Sequence, residues 1–214
     1  MNRGATAGQL EFIHVYGQAQ DSAAPTLLLL HGTGGDETDL LPLGRALAPQ
    51  AGILSVRGKV LENGSPRFFR RLAPGVFDQE DLTLRTEELA SFLDAAASHY
   101  QFDPKKVVAV GYSNGANIAA SLLLRVPDAL AGGILLRSMV PFVPERPPQL
   151  SGKPILMLSG NSDPIASPEN SRRLEKLFAD AGADVTLHMQ DAGHALVKLD
   201  LITAQEWLNR HFRP

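Results

Sequence analysis

The chain has 214 residues, 44% of them apolar and 20% charged, with a formal charge of −3 from 20 basic and 23 acidic side chains. This balance excludes wholesale disorder and allows a core large enough to need no disulfide or metal staple. The absence of cysteine rules out a thiol nucleophile and a thiolate metal site, and the missing basic surplus argues against nucleic acid as a partner.

Residues 1–20 hold one arginine and no apolar core, so they do not read as a signal peptide. No apolar run reaches the ~18 residues of a membrane span, and the expectation is a cytoplasmic chain forming one domain over residues 1–214. A first strand is expected near Glu11–Tyr16, then a continuous apolar run over Thr26–His31 bounded by Pro25 and Gly32. Gly52–Val56 has the same character. Arg57–Val76 is irregular and rich in Gly and Pro. It reads either as a functional loop or as a surface loop with Phe68 and Phe69 packed down and its arginines solvated.

From Glu80 to Tyr100, apolar residues recur at helical spacing, with Asp78 placed to cap the start. Val107–Val110 reads as a strand and Asn114–Val126 as a helix; Ile134–Leu136 and Pro154–Leu158 are further apolar strands. Ser167 and Pro168 open a helix that Gly182 would close. Val185–Met189 alternates, as an outer strand does, and Thr203–Glu206 resembles a capping box before Trp207, Leu208 and Phe212. Apolar runs without alternation are covered on both faces, so the expected class is α/β, a doubly wound parallel sheet between helices.

The chemistry gathers at Gly111-Tyr112-Ser113-Asn114-Gly115, a G-x-S-x-G sequence with a strand before it and a helix after. In that context the serine sits on a sharp turn at a helix N-terminus, exposed for attack. A serine hydroxyl needs a positioned base. His14 and His188 lie in strands, His99 on a helix and His211 near the end of the chain; these read as structural or solvated. His31 is expected to shape the loop beside Gly32. His194 follows the last strand, where a base can reach the carboxyl edge of the sheet. Asp163 follows the Pro154–Leu158 strand and lies between serine and histidine in sequence, as the acid should; a turn aspartate capping the next helix is the competing reading. The two oxyanion donors are expected to be the backbone N–H groups of Asn114 and of Thr33, the latter in His31–Asp36.

With these elements in place, the chain resembles the phospholipase/carboxylesterase branch of the α/β-hydrolases. Residues 30–37 look like its oxyanion loop, Gly111–Gly115 its elbow, Gly160–Asp163 its acid and Gly193-His194 its base. Residues 61–71 are similar to small bacterial carboxylesterases, including a subgroup linked to hydroquinone or quinone stress. The resemblance implies an α/β-hydrolase fold with a mostly parallel central sheet and helices on both faces. It also implies hydrolysis of a small carboxylic ester through an acyl-serine, with no metal or organic cofactor. A thioester or lysophospholipid as substrate, a perhydrolase-like reaction, and a silent binding protein stay open, as does a homodimer. Gly-Thr-Gly and Ser-Asn-Gly stand where long-chain thioesterases tend to have Gly-Leu-Gly and Ser-Gln-Gly, which points away from long acyl chains. The short span from Leu136 to Pro154 leaves no room for a cap domain, so the pocket should be shallow. Its expected walls are Met139, Pro141 and Phe142, with Phe68 and Phe69; ordinary loop packing is the alternative for each. Arg67, Arg70 and Arg71 would meet an anionic substrate or simply face water.

Overall fold

A computed structural model describes residues 10–212; the first nine residues, within the stretch read for a leader, and the last two lie outside the described residues. The elements in chain order are β1 (His14–Gly17), β2 (Thr26–Leu30), α1 (Leu41–Leu47) and β3 (Gly52–Val56). Four short strands follow: β4 (Val60–Glu62), β5 (Ser65–Arg67), β6 (Arg71–Ala73) and β7 (Val76–Phe77). Then come α2 (Gln79–Tyr100), β8 (Val107–Tyr112), α3 (Asn114–Arg125) and β9 (Gly132–Leu136). The chain closes with β10 (Pro154–Gly160), α4 (Pro168–Asp180), β11 (Asp184–Gln190) and α5 (Lys198–His211).

Seven strands form one sheet in the order β1-β3-β2-β8-β9-β10-β11, parallel throughout except for β1 against β3. The two-residue period of a strand assigns every apolar side chain to a face. Leu28, Leu30, Ala109, Ile155 and Met157 join the core beneath α2, α3 and α4. Their neighbours Leu27, Leu29, Val108, Val110, Leu156 and Leu158 join the core beneath α1 and α5. This is the α/β-hydrolase arrangement, and it explains why the central strands carry no polar alternation. The half-exposed β11 lies at the sheet edge, as its alternation requires.

From β2 the chain first adds β3 on one side and then crosses to β8 on the other, which leaves a crevice at the carboxyl ends of β2 and β8. Leu30 and Gly111 are register partners there, and Tyr112 partners Leu136. Among the described residues, 137–153 form no helix or strand. No helix of the described residues is long and apolar enough to cross a membrane.

Asp78 caps α2 by accepting from the Asp81 N–H (3.1 Å), and Ser167 caps α4 by accepting from the Asn170 N–H (3.2 Å). Gly182, with φ +85°, follows the end of α4. Three elements differ from expectation. The final helix begins at Lys198, so Thr203 lies within it. Its first turn is capped by Asp200, whose carboxylate accepts from the Val197 N–H at 2.8 Å. The seven-residue α1 was hidden by Pro42 and Gly44, which no helical pattern flags. Most of Arg57–Val76 is folded into two hairpins, β4–β5 and β6–β7.

Candidate active site

β8 ends at Tyr112 and α3 begins at Asn114, so the whole reversal falls on Ser113, with φ +52° and ψ −112°. Such a conformation costs a non-glycine residue about 1–3 kcal/mol and persists only where its surroundings enforce it. Here the Ser113 N–H is tied to the Leu136 carbonyl (2.8 Å). The close approach of α3 to β2 depends on Gly115: a Cβ there would run into the backbone carbonyls of Leu30 and His31.

The Ser113 hydroxyl lies 2.9 Å from His194 Nε2, and His194 Nδ1 lies 2.8 Å from Asp163 Oδ2. An ionised carboxylate only accepts, so the proton belongs on Nδ1, which leaves Nε2 to accept from the serine hydroxyl. Asp163 is 4% exposed and serves two purposes. Its Oδ1 accepts from the N–H groups of Ile165 (2.8 Å) and Ala166 (3.0 Å), closing a turn, while Oδ2 faces the imidazole. The competing reading of a turn aspartate is therefore the other half of the same residue. Asp191, nearer His194 in sequence, is exposed.

Thr33 follows β2 in the facing loop, and no acceptor takes its backbone N–H among the described residues. The N–H of Asn114, first in its helix, has no intrahelical partner either. His31 is buried, and burial lowers its pKa from the ordinary value. Its Nδ1–H donates to the Gly32 carbonyl (2.6 Å), and Nε2 accepts from the Gly58 N–H (3.0 Å). A neutral imidazole thus fastens this loop to the chain after β3.

Arg67 departs from the solvated reading. It is 3% exposed and donates from Nη1 to Thr33 Oγ1 (2.6 Å) and from Nε to the Phe69 carbonyl (3.2 Å). Burial, then the like charge of Arg71, lowers its pKa. Glu62 lies 3.2 Å from Arg67 Nε and accepts from Arg71 Nε at 2.8 Å. Arg70 and Arg71 are exposed.

A cleft of about 280 Å³ opens over these groups, with Ser113, His194, Thr33 and Asn114 in its lining together with Arg67, Arg71, Phe77, Asn117, Met139 and Ile165. Met139 lines it, but the other four expected walls are elsewhere: Pro141 is buried, its carbonyl accepting from Gln79 Nε2 at 3.0 Å. Phe68 and Phe69 are buried in the core, Phe68 against the His31 ring (4.8 Å) and Phe69 edge-on to Phe77 (5.1 Å). Phe142 turns away and lies under the Arg125 guanidinium (4.1 Å). A larger hollow of about 480 Å³ lies between α1 and α5 at the opposite strand ends; its lining contains no histidine or serine.

Sequence reasoning missed the residues that hold the walls. The Asn114 side chain accepts from the Phe68 N–H, and Asn117, one turn on, accepts from the Met139 N–H, each at 2.7 Å. The Ser113-Asn114-Gly115-Ala116-Asn117 spacing carried the only signal: two asparagines at i and i+3 on an otherwise apolar helix. Burial raises the Tyr112 pKa, and the Tyr112 hydroxyl donates to the His194 carbonyl at 3.1 Å. Arg137 and Asp200, which no motif marked, form a fully buried ion pair behind the histidine loop.

Residues 67–204 match the dienelactone hydrolase family. The chain is 49% identical over 194 residues to MhqD of Bacillus subtilis (strain 168), a protein named as a hydrolase, covering 91% of this chain and 96% of that one. The solved Bacillus cereus carboxylesterase is 50% identical with a TM-score of 0.93, over 94% of this chain and 95% of that one. The structure of YahD with malic acid is 31% identical with a TM-score of 0.89, over 94% of this chain and 99% of that one. The chain thus belongs to the dienelactone hydrolase family and is a hydrolase, structurally akin to bacterial carboxylesterases.

Proposed function

We propose that the protein is a serine carboxylesterase acting on small carboxylic esters. The observation that carries this reading is the continuous chain from Ser113 Oγ through His194 to Asp163, with 2.9 and 2.8 Å links, inside an open cleft. Ser113 attacks the ester carbonyl while His194 Nε2 takes its proton, and Asp163 holds the tautomer and stabilises the imidazolium. The tetrahedral oxyanion is received by the N–H groups of Thr33 and Asn114. His194 returns the proton to the leaving alcohol, then activates water to hydrolyse the acyl-serine. Every proton is accounted for by these groups.

The cleft supports the small size, lying near the ~300 Å³ lower end of ligand pockets. Its lining supports a polar or anionic group on the substrate. Arg71 is exposed at the rim, and Asn117, its oxygen occupied by Met139, has its amide NH₂ left to donate. Malic acid, named with the YahD structure, is a small molecule of that class.

Ser113→Ala should reduce turnover of an activated short-chain ester on the order of 10⁴–10⁶-fold while the fold is kept. Activity near that of the unaltered protein would remove the reading. An ester panel crossing acyl length with alcohol charge should favour short acyl groups, and preference for long chains alone would overturn the small-substrate reading.

A further inference from the structure

Seven residues, 191–197, join β11 to α5 with no regular structure, yet His194 must stand in register with two partners from other elements. The Ala192 and Val197 carbonyls accept backbone N–H groups, from Ser162 and Asp200 at 3.0 Å each, while the three at and beside His194 are taken up by side chains from elsewhere. Arg137, the first residue after β9, has no exposed surface. Its Nε donates to the Gly193 carbonyl and its Nη2 to the Ala195 carbonyl, both at 3.0 Å. Nη1 donates to the Leu158 carbonyl at 3.0 Å, and both terminal nitrogens meet the Asp200 carboxylate, at 3.0 and 2.6 Å. All five guanidinium N–H groups are thereby used. The Tyr112 hydroxyl takes the intervening carbonyl, that of His194, at 3.1 Å. Three consecutive carbonyls centred on the histidine are pinned to β8 and β9.

The arrangement is expensive for stability alone. Arg137 holds a left-handed backbone with φ +56°, and a buried ion pair must give up the hydration of both charges. Apolar residues of similar volume would stabilise the fold as well or better. What they could not supply is a planar fork that grips the carbonyls on either side of one residue.

We propose that Arg137, neutralised by Asp200, is the positioning residue that keeps His194 in hydrogen-bonding register with Ser113 and Asp163. This rests on His194 being the general base. Displacing a reacting group by about 1 Å costs ~10²-fold in rate, so loosening this loop should act on kcat.

The test is the double variant Arg137→Met with Asp200→Leu, which removes the pair without stranding a charge. Its melting temperature should fall only by the few degrees that losing the Asp200 cap on the Val197 N–H costs, while kcat falls ~10²-fold and KM changes less than about threefold. Labelling of Ser113 by a small fluorophosphonate, which needs the base but few substrate contacts, should slow to a similar degree. Arg137→Lys keeps the charge and loses the fork, and should not restore kcat. A folded double variant with kcat within about threefold of the unaltered protein would overturn the proposal. So would a kcat loss that disappears on cooling in step with regained structure. Should the double variant not fold, Arg137→Lys, which keeps the charge beside Asp200 but loses the fork, decides in its place: folded with kcat within about threefold of the unaltered protein, it overturns the proposal. His194→Ala serves as the control. If that variant keeps its activity, the assignment of the base fails first; if it is inactive while the double variant is not, only the positioning role fails.

Discussion

Gly111–Gly115 and Asp191–Val197 each deliver one side chain of the proposed triad to the same cleft, and they are held by opposite means. In the first segment the constraint is local: strand, turn and helix are contiguous, and Gly115 lets α3 seat against the Leu30 and His31 carbonyls. In the second segment the constraint is remote. Arg137 stands 56 residues before the Gly193 carbonyl it grips, and Tyr112 stands 82 before His194. A backbone turn with one outside tie, the Ser113 N–H to the Leu136 carbonyl, is enough to place a short side chain such as serine. A histidine on an irregular loop has more freedom, and that freedom must be removed by partners on the rigid sheet.

The largest expected effect tests the histidine side. In Asp163→Asn the oxygen that closes the turn with Ile165 and Ala166 is kept, but an amide NH₂ faces His194 Nδ1 and favours the wrong tautomer. Turnover should drop ~10⁴-fold with little change in melting temperature. A loss of less than tenfold would mean that Asp163 matters for its turn alone. The elbow should respond the other way round. Gly115→Ala places a methyl group on fixed backbone, so stability should fall by ~3 kcal/mol in a denaturant titration, with activity lost as a consequence. A stable, inactive variant would blur the contrast between the two segments.

The same contrast explains what could be read from the chain. Ser113, Asp163 and His194 announce themselves because a strand end, a glycine and a reactive side chain are adjacent in sequence. The central strands and most of the helices follow from periods of two and 3.6. Arg137 was invisible because its four side-chain partners are all distant, and an arginine after an apolar strand carries no local mark. Phe68, Phe69 and Phe142 were misplaced for a related reason. An aromatic residue in an irregular segment has no period to say which way it faces, so only packing against His31, Phe77 or Arg125 decides. The Thr203–Glu206 pattern was mistaken for a cap because its T-x-x-E spacing falls inside the helix, whereas the true start follows Val197, which has no capping side chain, and is served by Asp200.

A third wall of the cleft sharpens the comparison, because the Thr33 loop is tied by a backbone bond as well as by a side chain. Its grip on the β4–β5 hairpin is remote, through the Gly34 N–H to the Pro66 carbonyl (2.9 Å) and through Arg67 to Thr33 Oγ1. Thr33→Val keeps the shape and deletes the acceptor, leaving a buried guanidinium short of a partner. If that bond positions the Thr33 N–H, kcat/KM for short esters should fall ~10-fold, a modest loss beside that of an oxyanion donor itself. An unchanged kcat/KM would place all the holding power of this loop in His31 and the glycines.

His31 then carries the smallest of these effects, visible in stability rather than rate. Burial lowers its pKa below the ordinary value of about 6.5, and its Nε2 lone pair is occupied by the Gly58 N–H. A proton at Nε2 would have to displace that bond, so the folded state resists taking one up. The unfolded chain takes it up as pH falls through about 6.5, binding more protons than the native state, and stability must decline on the acid side. The contribution is complete above that pH and is lost progressively below it. Asp36 and Glu37, whose pKa values are lowered mainly by hydrogen bonds from Thr38 and from Arg57, titrate further down. Because five other histidines share this window, the difference between the unaltered protein and a His31 variant in urea midpoints from pH 8 to pH 5 isolates the imidazole. The midpoint should fall across that window in the unaltered protein and fall less in His31→Gln, whose amide oxygen can still accept from Gly58 without titrating. Equal slopes for the two proteins would show that the protonation of His31 carries none of the acid-side loss.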